Sequence, residues 1–416
     1  MRIRGGQPLN GEVAISGAKN LALPALAASL LTESKVILKN VPKLVDIRSM
    51  LELLDHLGCN IDCFEPNSIS ISTNNLKSTD APYDFVRKMR ASILVLGPLL
   101  SRFKQATVSL PGGCAIGTRG VDLHIKALQL MGAQISIENG YIKAQANHGL
   151  CGCDIAFPIV TVTGTENVLM AAVLAKGMTR LINAAVEPEV VALCRLLNNM
   201  GANIKGHGTS IIEIEGAQSL HGTEFEIIPD RIEVGTYAIA AALTSGKLLL
   251  KNCIYDDLTT VFETLQNCGI VFEKQDKNIL VYRKEDIKPI DIQTMPHPGF
   301  PTDLQAQYTV LMSVSCGTAA ITENIFENRF MHIPELNRMG ANISVHGKTA
   351  IVTGVKKLFG AQVMATDLRA SASLVLAGLI ANGKTVVNRL YHLDRGYAEI
   401  DKKLTECGAV VERFSV

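Results

Sequence analysis

Tryptophan is missing altogether and aromatic residues make up only 5% of the 416-residue chain, so its 47% hydrophobic content rests on alanine, leucine, isoleucine and valine. An excess of either charge is missing too: 40 basic residues stand against 39 acidic ones, for a formal net charge of +1. That balance excludes recognition of nucleic acid or of a membrane surface through bulk electrostatics and leaves a small-molecule partner. Apolar stretches such as 21–31 are too short to span a bilayer, and Pro24 interrupts that one. No apolar run follows Arg2 and Arg4, so a secretory signal is not expected and a cytoplasmic protein is. The ten cysteines contain no CxxC pair, which points to free thiols rather than a disulfide framework or a zinc site. Cys151 and Cys153 have no matching pair to complete a metal site, so no metal is expected.

What is present is a repeat. An apolar residue, a glycine and a small or apolar residue recur six times, at Gly58, Gly132, Gly201, Gly269, Gly340 and Gly408, which by subtraction stand 74, 69, 68, 71 and 68 residues apart. Each glycine follows an amphipathic run, such as 121–131 or 190–200, and precedes an alternating stretch, so it marks the end of a surface helix before a strand. Ahead of each run lie a short β-rich segment and a helix apolar nearly all round, of the kind that belongs in a domain centre. Six units of buried helix, strand, loop, surface helix and strands predict two groups of three. The correspondence of Lys19-Asn20 with Asp230-Arg231 places the chain crossings there, giving one domain over 20–229 and another over 1–19 plus 230–416.

Polar residues that break these patterns gather in two places. One is the start of the buried helices: Lys19 and Asn20, Arg90, Thr161 to Thr165, Asp230 and Arg231, Asp303, and Asp367 with Arg369. Helix N-termini converging on one cleft would make an anion site. Asp230, Asp303 and Asp367 could equally be helix caps, whereas Lys19 and Arg90 are cations at the wrong end of a helix dipole and call for an anion. The other place is the loop after the short strand: 111–119, 323–329 and 388–395. These loops carry Arg119, Arg329 and Arg395, candidates to meet the helix starts across a cleft between domains, where a guanidinium suits phosphate or carboxylate. The first loop, Pro111-Gly112-Gly113-Cys114-Ala115-Ile116-Gly117-Thr118-Arg119, also holds a thiol beside a cation, a setting that favours cysteine reactivity. His124 could face a ligand or serve packing, and His297 has no assignable partner.

At these residues the chain resembles the enolpyruvyl transferase family, in its UDP-N-acetylglucosamine 1-carboxyvinyltransferase branch. The resemblance runs from about Gly5 to the C-terminus and includes Ser16-Gly17-Ala18-Lys19-Asn20, Met89-Arg90-Ala91-Ser92, the whole 111–119 loop, Phe300-Pro301-Thr302-Asp303, Phe326-Glu327-Asn328-Arg329, Ala365 to Ser371 and Asp394-Arg395-Gly396-Tyr397. It implies an α/β fold of two inside-out α/β barrels, each of three βαβαββ-type repeats with buried helices and outer sheets. It also implies transfer of the enolpyruvyl group of phosphoenolpyruvate to the 3′-hydroxyl of UDP-N-acetylglucosamine, with release of phosphate, no cofactor and no metal, as the opening step of peptidoglycan synthesis.

Carried over position by position, the resemblance assigns Lys19, Arg119 and Arg395 to the donor's phosphate and carboxylate, with Arg329 and Arg369 supporting that field and Asp367 beside them. Asn20, Asp303, Arg90 and Ile325 would contact the amino sugar. Arg119, Gly120, Val121, Asp122, Leu123 and the turn Thr161, Val162, Thr163, Gly164 would take the nucleotide. Cys114 would be the acid toward the methylene carbon, and the target of fosfomycin, while Asp303 would be the base toward the hydroxyl; addition to an enol ether needs an acid and a base on opposite sides. Gly120, Ile159 and Val186 depart from the family's usual proline, polar or basic residue, and arginine. The related 3-phosphoshikimate 1-carboxyvinyltransferase is an alternative, but it lacks the Pro-Gly-Gly-Cys loop. An inactive paralogue that binds the sugar nucleotide is a second, against which the presence of Cys114, Asp303, Lys19 and Arg395 speaks.

Overall fold

Leucine, alanine and valine fill whole turns of six helices, and this uniform apolarity decides the architecture, because such helices can only be buried. The computed structural model describes residues 1–64, 66–111, 116–117 and 120–414. The chain divides into two compact units: an N-terminal unit of Gly17–Cys114 and Arg119–Ile228, and a C-terminal unit of Met1–Ser16, Ala115–Thr118 and Pro229–Val416.

In the C-terminal unit the helices Arg231–Leu243, Thr302–Met312 and Leu368–Ile380 pack on one another at the centre, and all of Arg231–Leu243 is buried. A Cβ at Gly235 would stand 2.4 Å from a Leu304 methyl, so glycine there lets two of these helices approach closely. The N-terminal unit repeats the plan with Lys19–Ala28, Leu96–Phe103 and Val162–Ala172. Gly97 plays the same part there, packed on the backbone of Asn167 and donating its N–H to Asn167 Oδ1 at 2.7 Å. The second of these helices is shorter than expected: Arg90–Val95 is a 3-10 turn, and the α-helix begins only at Leu96, which places Pro98 in its first turn, where a missing N–H is tolerated.

Among the described residues six four-stranded sheets surround these centres, three in each unit. Every sheet has one parallel pair, such as Asn10–Ala14 beside Lys247–Lys251, and five of the six have an antiparallel hairpin, such as Asn342–His346 with Thr349–Thr353. Strands alternate in burial, as Ile211–Glu215 does, so one face packs on the helices and the other meets solvent. Each unit closes on itself with a strand from a distant part of the chain. Glu224–Glu226 pairs with Val36–Lys39, and Arg2–Arg4 lies between Lys384–Asn388 and Val410–Glu412.

The six repeat glycines are the stops predicted for them. Gly58, Gly132, Gly201, Gly269, Gly340 and Gly408 all have φ between 90 and 102°, the left-handed region in which a Cβ is costly. At five of the six, the glycine N–H and the next residue's N–H bond back to the helix in the Schellman pattern, as in Gly408 to Thr405 C=O (2.9 Å) and Ala409 to Leu404 C=O (3.0 Å).

Candidate functional site

In the C-terminal unit the three buried helices start alike but use their acids differently. Asp230 Oδ1 accepts the N–H groups of Ile232 (2.8 Å) and Glu233 (3.2 Å), and Asp367 Oδ1 those of Arg369 (2.9 Å) and Ala370 (3.1 Å). Both are N-caps, as the local reading of those acids anticipates. Asp303 is not. Pro301 holds the cap position of its helix, and the Asp303 carboxylate instead receives Arg329 Nη2 on Oδ1 and Arg369 Nη2 on Oδ2, each at 2.7 Å. Both arginine side chains are 4% exposed and that of Asp303 is 26% exposed. Burial alone would raise the Asp303 carboxyl, but the Arg369 and Arg329 guanidiniums outweigh it and hold the group well below the usual carboxylate range. Two cations against one anion leave net positive charge, which a second anion could satisfy.

The loop that delivers Arg329 is organised by Glu323. Its carboxylate accepts the hydroxyls of Thr294 and Thr302, both at 2.9 Å, and the N–H groups of Ile325 (2.8 Å) and Phe326 (3.1 Å). The Ile325 N–H is thereby committed within the loop, and a ligand contact at this residue falls to its carbonyl or side chain. The Ile116 carbonyl accepts the Asn328 N–H at 3.1 Å, and a Cβ at Gly117 would meet the Glu327 carboxylate. Arg395 ends a 3-10 helix, Leu390–Arg395, where a plain loop was expected; Arg389, at φ 60°, turns the chain into it. The neighbouring Asp394 is bound by Arg413 at 2.6 and 3.0 Å.

In the N-terminal unit Lys19 opens its helix with Nζ 3.2 Å from Asp46 Oδ2, so an acid from the helix Val45–Leu57 offsets the misplaced cation. Asn20 follows, and Pro24 lacks the N–H that would close on its carbonyl. Arg90 donates Nη2 to the Gly120 carbonyl (3.4 Å), holding the approach to the helix Asp122–Leu130, which Val121 caps and in which Leu123 occupies the first turn. Thr161 caps Val162–Ala172 by accepting the Gly164 N–H at 3.2 Å, with Val162 and Thr163 between them. His124 is buried. Asn167 uses Oδ1 for the Gly97 N–H and so turns Nδ2 toward His124 Nδ1 at 2.9 Å, which makes Nδ1 the acceptor and leaves the proton on Nε2, 3.4 Å from Thr163 Oγ1. Burial, then Arg90, lower this histidine to about 4.

Cys114 and Arg119 lie outside the described residues, as do Gly112, Gly113, Ala115 and Thr118. Among the described residues no group of histidines, cysteines and acids is placed to hold a metal. Three features escaped sequence reasoning: the Asp46 partner of Lys19, the double clamp on Asp303, and a buried polar chain of Thr236, Gln307 and Tyr397 behind Arg369. For Thr236 and Gln307 the signal was visible as a hydroxyl and an amide residue inside helices that are largely apolar.

The fold is that of the enolpyruvyl transferases. The chain superposes on the enolpyruvyl transferase NikO from Streptomyces tendae with a TM-score of 0.90 at 24% identity, over 98% of this chain and 97% of that one. A structure of EPSP synthase from Acinetobacter baumannii matches with a TM-score of 0.77 at 18% identity, over 98% and 97%. The model of the family described as EPSP synthase (3-phosphoshikimate 1-carboxyvinyltransferase) matches residues 3–404. Higher similarity lies with proteins named UDP-N-acetylglucosamine 1-carboxyvinyltransferase. That of Granulibacter bethesdensis is 57% identical over 100% of this chain and 99% of its own, and that of Gluconobacter oxydans 54% over 99% of both. The chain belongs to the carboxyvinyltransferase family, in its UDP-N-acetylglucosamine branch.

Proposed function

We propose that this protein transfers the enolpyruvyl group of phosphoenolpyruvate to the 3′-hydroxyl of UDP-N-acetylglucosamine, the first committed step of peptidoglycan synthesis. The observation that carries the reading is full-length identity above half with relatives named for that reaction. In the addition step the sugar oxygen bonds to C2 of the donor while its proton leaves to a base and C3 gains one from an acid. In the elimination step C3 loses a proton and the C2–O bond to phosphate breaks, releasing inorganic phosphate. Cys114 is assigned the acid and Asp303 the base. Arg329, Arg369 and Arg395 in the C-terminal unit, and Lys19 and Arg119, meet the donor's anionic groups and stabilise the departing phosphate. Asn20 and Arg90 take the sugar; the Gly120 to Leu123 segment and the Thr161 to Gly164 turn take the nucleotide.

The clamp on Asp303 bears on this chemistry. A carboxylate bound by two guanidiniums is a weak base, and the donor's own carboxylate and phosphate compete for the same arginines. In this reading the donor's arrival draws positive charge away from Asp303 and restores its basicity. A cytoplasmic setting suits the free thiols among the described cysteines, and no helix of the described residues is long and apolar enough to cross a membrane.

The test is phosphate release from the purified chain. It should require phosphoenolpyruvate and UDP-N-acetylglucosamine together; no release with both present, or release with shikimate 3-phosphate in place of the sugar nucleotide, overturns the proposal. Asp303→Asn should abolish turnover and keep sugar-nucleotide binding measurable.

A further inference from the structure

Behind the Asp303 clamp the C-terminal unit buries a polar chain that the reaction as described does not use. Thr236, in Arg231–Leu243, donates its hydroxyl to the Ile232 carbonyl of its own helix at 2.8 Å. Its oxygen therefore accepts, and the Tyr397 hydroxyl, 2.9 Å away, is the donor. With its proton so placed, the Tyr397 oxygen accepts Arg369 Nη1 at 3.2 Å and Gln307 Nε2 at 3.0 Å. Gln307 Nε2 also reaches Thr236 Oγ1 at 3.1 Å and the Asp303 carbonyl at 3.0 Å. Tyr397 is 1% exposed, and Thr236, Gln307 and Arg369 are 1%, 0% and 3% exposed. Each of the three central helices supplies a member, and the chain ends on Nη1 of the Arg369 guanidinium, whose Nη2 holds Asp303.

A guanidinium fixed at Nη2 alone can swing about that contact. A second contact at Nη1 fixes its plane, and with it the direction in which it meets an incoming anion. Hydrogen bonds within the chain offset part of the cost of burying its polar groups, while Gln307 Oε1 and Arg369 Nε have no partner among the described residues. We infer that Tyr397, held by Thr236 and Gln307, is a positioning residue for enolpyruvyl transfer: its hydroxyl fixes the Arg369 plane so that the guanidinium addresses Asp303 and the donor anion together. The charged groups around this point are Asp303 and Arg329 on the substrate side, Asp230 at the head of the neighbouring helix, and the buried His332 beside Arg329. The inference rests on the enolpyruvyl-transfer reading for its functional half only.

Tyr237 supplies an internal control. It is 1% exposed on the same helix as Thr236, and its hydroxyl has no hydrogen-bond partner among the described residues. Tyr397→Phe and Tyr237→Phe thus delete the same atom from the same core, once from the chain and once outside it. Hydrogen bonds to charged groups are worth enough that Tyr397→Phe should raise the KM for phosphoenolpyruvate about 10- to 100-fold, with the KM for UDP-N-acetylglucosamine unchanged and Tyr237→Phe close to wild type.

An arm free of turnover follows the guanidinium by arginine-selective nitrogen-15 NMR. Restricted rotation should give resolved Nη–H signals for Arg369, assigned by their loss in Arg369→Lys, in the wild type and Tyr237→Phe, and merged signals in Tyr397→Phe. Thr236→Val, which removes the acceptor of the tyrosine proton and keeps the shape, should merge them as well and carries the test if Tyr397→Phe fails to fold. Resolved signals and an unchanged donor KM in a folded Tyr397→Phe or Thr236→Val overturn the inference. A wild type that releases no phosphate while the NMR result holds overturns the proposed reaction instead.

Discussion

Replacing Asp303 by asparagine removes a negative charge from between two guanidiniums that are each 4% exposed, without changing the size of the side chain. Deleting one partner of a buried ion pair costs about 3–5 kcal/mol, because the other charge is left uncompensated. Two cations are stranded here, which places the cost at the upper end. For a unit of this size each kcal/mol moves the melting temperature by about 2–4 °C, so the C-terminal unit should melt about 10–20 °C lower at pH 7. Inorganic phosphate should repair the damage in the variant, since an anion on Arg329 and Arg369 replaces the lost carboxylate; at 100 times its dissociation constant it would return about 2.7 kcal/mol. The pH dependence has a definite sign. The folded Asp303 value is depressed, so its stabilisation is complete above the unfolded value near 3.9 and disappears as pH falls toward the folded one. Calorimetric melts of wild type and Asp303→Asn, with and without phosphate and across pH 7 to 3, measure all of this. A variant melting within about 2 °C of wild type at pH 7, or a gap that widens below pH 4, would refute the claim that this carboxylate balances the two arginines.

Two further outcomes can be checked directly. Burial pushes the thiols of Cys59, Cys194 and Cys253 up to about 12 and that of Cys268 up to about 11, so iodoacetamide at pH 7.5 should leave these four unmodified in the folded protein and label them after denaturation, as read by peptide mass spectrometry. His124 is lowered to about 4 by burial and then by Arg90, against an unfolded value near 6.5. Its contribution is therefore present above pH 6.5 and lost as pH falls from 6.5 toward 4, by about 3 kcal/mol in all; urea titrations of His124→Gln should show a shallower loss over that window, with a residual slope from the equally buried His332.

Much of the architecture was legible because it is periodic. The left-handed glycine stops could be read at all six positions, since only glycine adopts that conformation without cost and its spacing survives any tertiary detail. Helices apolar on every side announced their burial for a similar reason. Local reasoning also anticipated the caps at Asp230 and Asp367, which bond within three residues of themselves. It could not separate them from Asp303, whose partners Arg329 and Arg369 lie 26 and 66 residues away. The 3-10 start at Arg90 was likewise missed, because helix pattern alone does not reveal how tightly the first turn winds, and the short 3-10 helix Leu390–Arg395 stood where a loop was expected.

The sequence by itself determined the repeat, the elements within each unit and the family, for these depend on residue type and spacing along the chain. Only the tertiary structure decided which charges neutralise which: that Lys19 is matched by Asp46, that Asp303 is held by two buried arginines, and that Tyr397 and Gln307 stand behind one of them. The reason is physical. Electrostatic and hydrogen-bond partners are chosen by distance in space and by exclusion of water, and three helices far apart in the chain must first pack together before either quantity exists.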